Sequence, residues 1–149
     1  MESNGIRTRV SSDALELSSL PSDWTDGSAG AVVLFFGVVR KENEGRKVRE
    51  IEYDGASPLA EKLLFEIGGE AQKKFGDDVR IFVQHRLGLL KLGEVSVVIA
   101  VASAHRHEAY EASRYVIEEL KKRVPIWKRE VYEDGSEAWL RGCSHHAHT

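Results

Sequence analysis

Apolar residues recur along this chain with distinct periods, and each period predicts an element. Ala31-Val-Val-Leu-Phe-Phe-Gly-Val-Val39 is a continuous β-branched and aromatic run, the pattern of a strand covered on both faces. Arg40 ends it. The segment from Lys41 to Lys47 is polar around Gly45, and Val48, Ile51 and Tyr53 then restore apolar character, which predicts a long hairpin. Ser57-Pro58 reads as a cap followed by a first-turn proline, and Leu59, Leu63, Ile67, Ala71 and Phe75 recur behind it at helical spacing. Gly76 is placed to end that helix in a left-handed conformation, whereas Gly68 and Gly69 weaken its middle by roughly 1 kcal/mol each relative to alanine.

Two further strands are predicted over Val79 to Leu87 and Val95 to Ala102. A second helix carries Ala109, Ala112, Val116 and Leu120 on its apolar stripe, and Pro125 stops it at Val124. Trp127 to Tyr132 should then be extended. Connections this short between successive strands cannot be parallel crossovers, so the order predicts an α+β domain with a mixed, mainly antiparallel sheet and two main helices. Residues 1–29 mix Ser, Asp and Gly with few aliphatics and read as a loosely ordered arm with a short strand near Ala14 to Leu17. The domain proper is expected over residues 30–141, and residues 142–149 as a flexible His-containing tail.

Composition narrows the class without naming a function. A chain of 149 residues suits one core, and 42% hydrophobic with 30% charged residues excludes disorder and fibrous architectures. The formal charge of −3 argues against a surface built for nucleic acid, so any anion site must be local. No apolar run is long enough to span a bilayer, and the amino-terminal residues lack a leader pattern. Cys143 is alone, which excludes a disulfide scaffold and makes a reducing cytoplasm the expected compartment. His145, His146 and His148 read as a solvated tail, so no metal is expected.

Phosphate-loop, dinucleotide, nucleophile-elbow and paired-cysteine signatures are absent. What remains is basic residues where elements end. Gly37-Val38-Val39-Arg40 lets a ligand approach the backbone beside an arginine, although from this segment alone a bulge and a solvated arginine are the favoured reading. Ser103-Ala104-His105-Arg106 enters a helix amino terminus that attracts anions, although Ser103 as a simple cap also accounts for it. Lys121-Lys-Arg-Val-Pro-Ile-Trp-Lys-Arg-Glu130 surrounds a proline and a tryptophan with five basic residues. Helix-dipole complementation explains Lys121, Lys122 and Arg123 but not Lys128, which can share a cleft with Lys121 so that each depresses the other's pKa.

Gly30-Ala-Val-Val, Gly37-Val-Val-Arg40, Glu52-Tyr53, Ser103-Ala-His-Arg106 and Pro125-Ile-Trp-Lys-Arg-Glu130, in this order and spacing, resemble the large subunit of molybdopterin synthase over about residues 30 to 140. The resemblance implies an α/β-hammerhead-like fold, a homodimer, and a small ubiquitin-like subunit docked at each distal end to complete a heterotetramer. It implies no cofactor. The partner's C-terminal Gly-Gly thiocarboxylate would deliver sulfur to cyclic pyranopterin monophosphate, forming the dithiolene of molybdopterin. By the same resemblance Lys121 and Lys128 are the catalytic lysines, and Val38, Val39, Arg40, Lys128, Arg129 and Glu130 contact substrate with Lys121. His105 and Arg106 would reach the pocket from the other protomer. A non-catalytic phosphometabolite-binding or adaptor module is the competing class, and a nucleic-acid binder using Trp127 is third.

Overall fold

The computed structural model describes residues 1–15, 21, 24 and 26–141. Its elements are β1 (Glu2–Ser3), β2 (Ile6–Ser11), β3 (Ala31–Val38), β4 (Glu42–Asn43), β5 (Arg46–Gly55), α1 (Ser57–Phe75), β6 (Arg80–Arg86), β7 (Gly88–Lys91), β8 (Val95–Ser103), α2 (Arg106–Arg123), β9 (Ile126–Tyr132) and β10 (Glu137–Arg141). The strands form two sheets rather than the single sheet expected. The first has the order β1-β2-β6-β8-β3, and the second the order β10-β9-β5-β4 with β7 also on β5. Every pairing is antiparallel except β2 with β6, so the class is α+β with mainly antiparallel strands and two helices.

Both helices cover one face of the first sheet. Leu64 and Ile67 of α1 and Val116 of α2 meet Ile81, Val83, Ile99 and Val101 in a core from which water is excluded. Burying an aliphatic side chain of this size contributes about 1.5–3 kcal/mol. The buried stripe of α1 is Ala60, Leu64, Ile67 and Ala71, one step on from the predicted one at its start, and Leu59 is exposed. Ala56 rather than Ser57 occupies the amino-terminal cap of α1, with Pro58 in its first turn, and no side chain caps it. Gly76 closes the helix at φ 137°, ψ 148°, a positive φ but an extended rather than left-handed helical geometry.

The amino-terminal segment departs most from expectation. Ile6 and Val10 of β2 are buried, and Thr8 between them donates its hydroxyl to the Glu61 carbonyl of α1 at 3.0 Å. Residues 6–11 are therefore part of the sheet, not of a loose arm. Gly68 makes this possible, since a Cβ there would lie 2.8 Å from Ile6 Cγ2. The strand expected near Ala14 is not formed at Ala14 or Leu15, and its remaining residues lie outside those described.

β3 and β5 do not form the predicted hairpin, because they belong to different sheets. β3 ends with Val39 N–H on the Glu94 carbonyl and Val39 O accepting from Gly93 N–H, which ties it to the turn before β8. The short hairpin is β4–β5, turning at Glu44 and Gly45 with φ of 51° and 78°. Nor is β3 covered on both faces. Val32, Leu34, Phe36 and Val38 point away from the helices and are 41–49% exposed along an edge strand.

Between the helices, Arg123 donates to both oxygens of Glu70 at 2.7 and 2.8 Å, and Tyr115 donates to Oε1 at 2.7 Å. The Arg123 hydrogen bonds, then that of Tyr115, hold the Glu70 carboxyl down at about 2. A lowered carboxyl pKa stabilises the fold above the unfolded value of 4.5, and that stability is lost as pH falls toward 2. Both side chains stay water-accessible, so screening limits the effect to about 1 kcal/mol. The stability gap between wild type and Glu70→Gln in denaturant titrations should therefore close between these pH values, and a pH-independent gap would refute the assignment.

Candidate active site

A cavity of about 450 Å3 lies where the two sheets meet beneath the carboxyl end of α2. Val38, Val39 and Arg40 enter it from the end of β3, Lys121 from the last turn of α2, and Lys128 and Glu130 from β9. The alternation of a strand explains the last pair, because residues two apart share a face. Pro125 and the extended Val124 (φ −81°, ψ 126°) end α2 and reverse the chain, so β9 returns directly beneath the helix end that carries Lys121.

Lys128 Nζ sits 3.1 Å from Glu130 Oε2, with side chains only 7% and 1% exposed. Asn43 Nδ2 donates to Oε1 and Oε2 of Glu130 at 3.0 and 2.9 Å, and the Tyr132 hydroxyl donates to Oε1 at 2.8 Å. Burial pushes the Glu130 carboxyl up, but the Asn43 and Tyr132 hydrogen bonds and the Lys128 charge outweigh it, leaving the pKa below its ordinary value. The same contacts push the Tyr132 hydroxyl up to about 12, burial first and Glu130 second. Glu130 is thus the counter-ion of Lys128, a partner the sequence reading did not supply.

Tyr53, His85 and Ser96 also line the cavity. The His85 ring meets Tyr53 edge-on at 5.2 Å, and its Nδ1 lies 3.0 Å from the Arg86 carbonyl. That bond places the proton on Nδ1. Burial lowers the His85 pKa to about 4 against the opposing pull of that carbonyl, so the ring is neutral in the physiological range. Burial likewise raises the Tyr53 hydroxyl, opposed by its hydrogen bond with Ser96. His85 and Ser96 were not foreseen, although a polar pair, Gln84-His85, inside an apolar strand was a visible signal.

Three expected site residues lie elsewhere. Arg129 is on the opposite face of β9 from Lys128 and Glu130, where Glu52 and Glu137 accept from its guanidinium at 3.1 and 2.8 Å. Those carboxylates, the Glu52 bond first, raise its pKa, and they hold it outside the cavity. His105 and Arg106 are exposed at the amino end of α2. At 1.5 Å per residue the helix separates Arg106 from Lys121 by roughly 22 Å, too far to share one cavity within a chain. His105 itself is the amino-terminal cap residue of α2. Ser103 is not that cap, its hydroxyl donates to the His105 carbonyl, and the Ala104 N–H is taken by Asp78 at 2.8 Å. Among the described residues no group of His, Cys, Asp and Glu is arranged to hold a metal ion.

Residues 10–123 match the family model described as MoaE protein. The chain belongs to the MoaE protein family. It is 48% identical over 128 residues to the molybdopterin synthase catalytic subunit of Synechococcus elongatus, covering 86% of this chain and 78% of that protein. It is 45% identical over 112 residues to the Bacillus subtilis protein of the same name, covering 75% and 70%. Among solved structures, molybdopterin synthase from Staphylococcus aureus superposes with a TM-score of 0.83 at 34% identity, covering 94% of this chain and 98% of that one. A Helicobacter pylori complex of subunits 1 and 2 of molybdopterin-converting factor shares the fold at 22% identity, with a TM-score of 0.70 over 94% and 92% of the two chains.

Proposed function

We infer that this MoaE-family chain is the sulfur-transferring catalytic subunit of a molybdopterin synthase. It takes sulfur from the C-terminal thiocarboxylate of a small ubiquitin-like subunit and places it on cyclic pyranopterin monophosphate, building the dithiolene of molybdopterin. The observation that carries this reading is the convergence of Lys121, Lys128 and Arg40 on one cavity. The names of the relatives support it, since they are catalytic subunits of that enzyme.

The charges of the reactants explain the need for cations. The thiocarboxylate, the cyclic phosphate and the oxyanion formed on attack are all negative, so prepositioned cations lower the barrier without reorganising. Lys121, at the cavity edge, orients the thiocarboxylate and stabilises charge at its acyl carbon. Lys128, aligned by Glu130, and Arg40 hold the pterin phosphate beside the Val38–Val39 backbone. Arg129 takes no part within this cavity, because it is engaged on the outer face. No cofactor is invoked, and all the reactants are water-soluble, which suits the cytoplasm.

His105 and Arg106 join the site from a second protomer. Ala31 pairs with Ser103, so His105 and Arg106 lie by the start of β3, whereas the cavity lies by its end at Val38 to Arg40. A two-fold axis near the middle of the apolar edge strand exchanges those ends.

The test is conversion of cyclic pyranopterin monophosphate in vitro with the thiocarboxylated partner. Dithiolene product is expected, and its absence would refute the assignment. A partner lacking its two terminal glycines should still bind, more weakly, but transfer no sulfur, since only glycines pass a narrow channel without side-chain clashes. Undiminished transfer from the truncated partner would rule out tail insertion.

A further inference from the structure

Asn43 projects from the β4–β5 hairpin onto Glu130, 87 positions away in sequence, and supplies two of the hydrogen bonds to that buried carboxylate. The hairpin itself is clamped to β9. Arg46, across the Glu44-Gly45 turn, lies 3.5 Å over the Tyr132 ring and donates to Ser136 Oγ at 2.6 Å. A carboxylate with 1% exposure has no bulk water to satisfy its oxygens, so its orientation is set by these donors. Their chemistry matters. Asn43 and Tyr132 are neutral, so they fix Glu130 without neutralising it and leave its charge for Lys128. A lysine or arginine at position 43 would compete with Lys128 for the same oxygens. The Lys128 ammonium ends a four-carbon stem with many rotamers, and an oriented carboxylate 3.1 Å away selects among them.

We propose that Asn43 is a positioning residue of this site, fixing the Lys128 ammonium in the cavity through Glu130 and so setting the affinity for the anionic substrate. The inference rests on the reading of Lys128 as a substrate-holding cation. Asn43 makes the hairpin part of the binding machinery: the substrate-facing cation, its counter-ion and the hairpin form one connected unit.

The experiment measures binding of cyclic pyranopterin monophosphate by calorimetry to wild type, Lys128→Ala, Glu130→Gln, Asn43→Ala and Asn43→Ala/Glu130→Gln. Asn43→Ala should weaken binding about tenfold, the effect of losing hydrogen bonds to a charged group. In the Glu130→Gln background the same change should have no further effect, because its path runs through Glu130. Equal losses in both backgrounds would overturn the proposal, as would unchanged affinity in Asn43→Ala when Lys128→Ala binds weakly. A second readout is independent of the substrate. The 15N resonance of Lys128 Nζ should be resolved in wild type and broadened beyond detection in Asn43→Ala, and an unaltered resonance would overturn the proposal. Unchanged binding in Lys128→Ala together with a resonance lost in Asn43→Ala would instead refute the substrate role of Lys128 and leave the positioning role standing. Should Asn43→Ala fail to fold, Asn43→Ser, which keeps one donor, is expected to show intermediate losses in both measurements, and wild-type values there would also overturn the proposal.

Discussion

Replacing Lys121 by alanine should lower single-turnover dithiolene formation by about 10²–10³-fold or more, the cost of removing one charge-stabilising group from a preorganised site. The fold should survive the change. Lys121 is in the last turn of α2, where the packing is done by Val116 and Leu120 on the buried stripe, and the lysine faces the cavity. Loss of a side chain that is not in the core shifts stability little, so far-ultraviolet circular dichroism and the thermal midpoint should match wild type. A near wild-type rate would remove Lys121 from the chemistry. A collapsed midpoint with the same loss of rate would give it a structural role instead.

What the sequence made legible follows the range of the interactions involved. The helices over residues 57–75 and 106–123 were readable because an apolar stripe and a proline are local signals. The strands over 80–86 and 95–103 were readable because β-branched runs are local too. β2 was missed although Ile6, Thr8 and Val10 alternate with Arg7 and Arg9, because its polar surroundings masked a five-residue alternation. Its partner signal was Gly68, read as a weakness in α1 when it is the point where Ile6 packs. A continuous apolar run such as Ala31 to Val39 cannot report whether its second face is covered by its own chain or left for another.

The site divides along the same line. Lys121, Lys128 and Arg40 could be brought together by resemblance, but the hydrogen bonds around Glu130 depend on the registers of β4 with β5 and of β5 with β9, which no local pattern encodes. Arg129 was placed with Lys128 and Glu130 because the resemblance covers the three as one segment. Strand alternation alone separates it, since neighbours in a strand point to opposite faces. Its acidic partners, Glu52 directly across on β5 and Glu137 on β10, confirm which face that is.

The second large effect is a recovery of activity. An inactive Lys121→Ala chain mixed and re-equilibrated with an inactive Arg106→Ala chain should regain about a quarter of wild-type sites, because half the dimers are mixed and each mixed dimer holds one intact pocket. The geometry behind this is the edge strand. From Ala31 to Val38 is roughly 23 Å at 3.3 Å per residue, close to the separation of Arg106 and Lys121 along α2. When two copies lay their β3 strands antiparallel, the end bearing His105 and Arg106 of one therefore reaches the cavity end of the other. Val32, Leu34, Phe36 and Val38 supply the apolar face that such a contact would bury. In such a dimer Leu34, near the axis, would meet its own copy, so Leu34→Lys would set two like charges together and should yield an inactive but folded monomer by light scattering. Mixed dimers without recovered activity would place each pocket within one chain. A fully active Leu34→Lys dimer would move the interface away from β3, and the two results separate the shared site from the surface that assembles it.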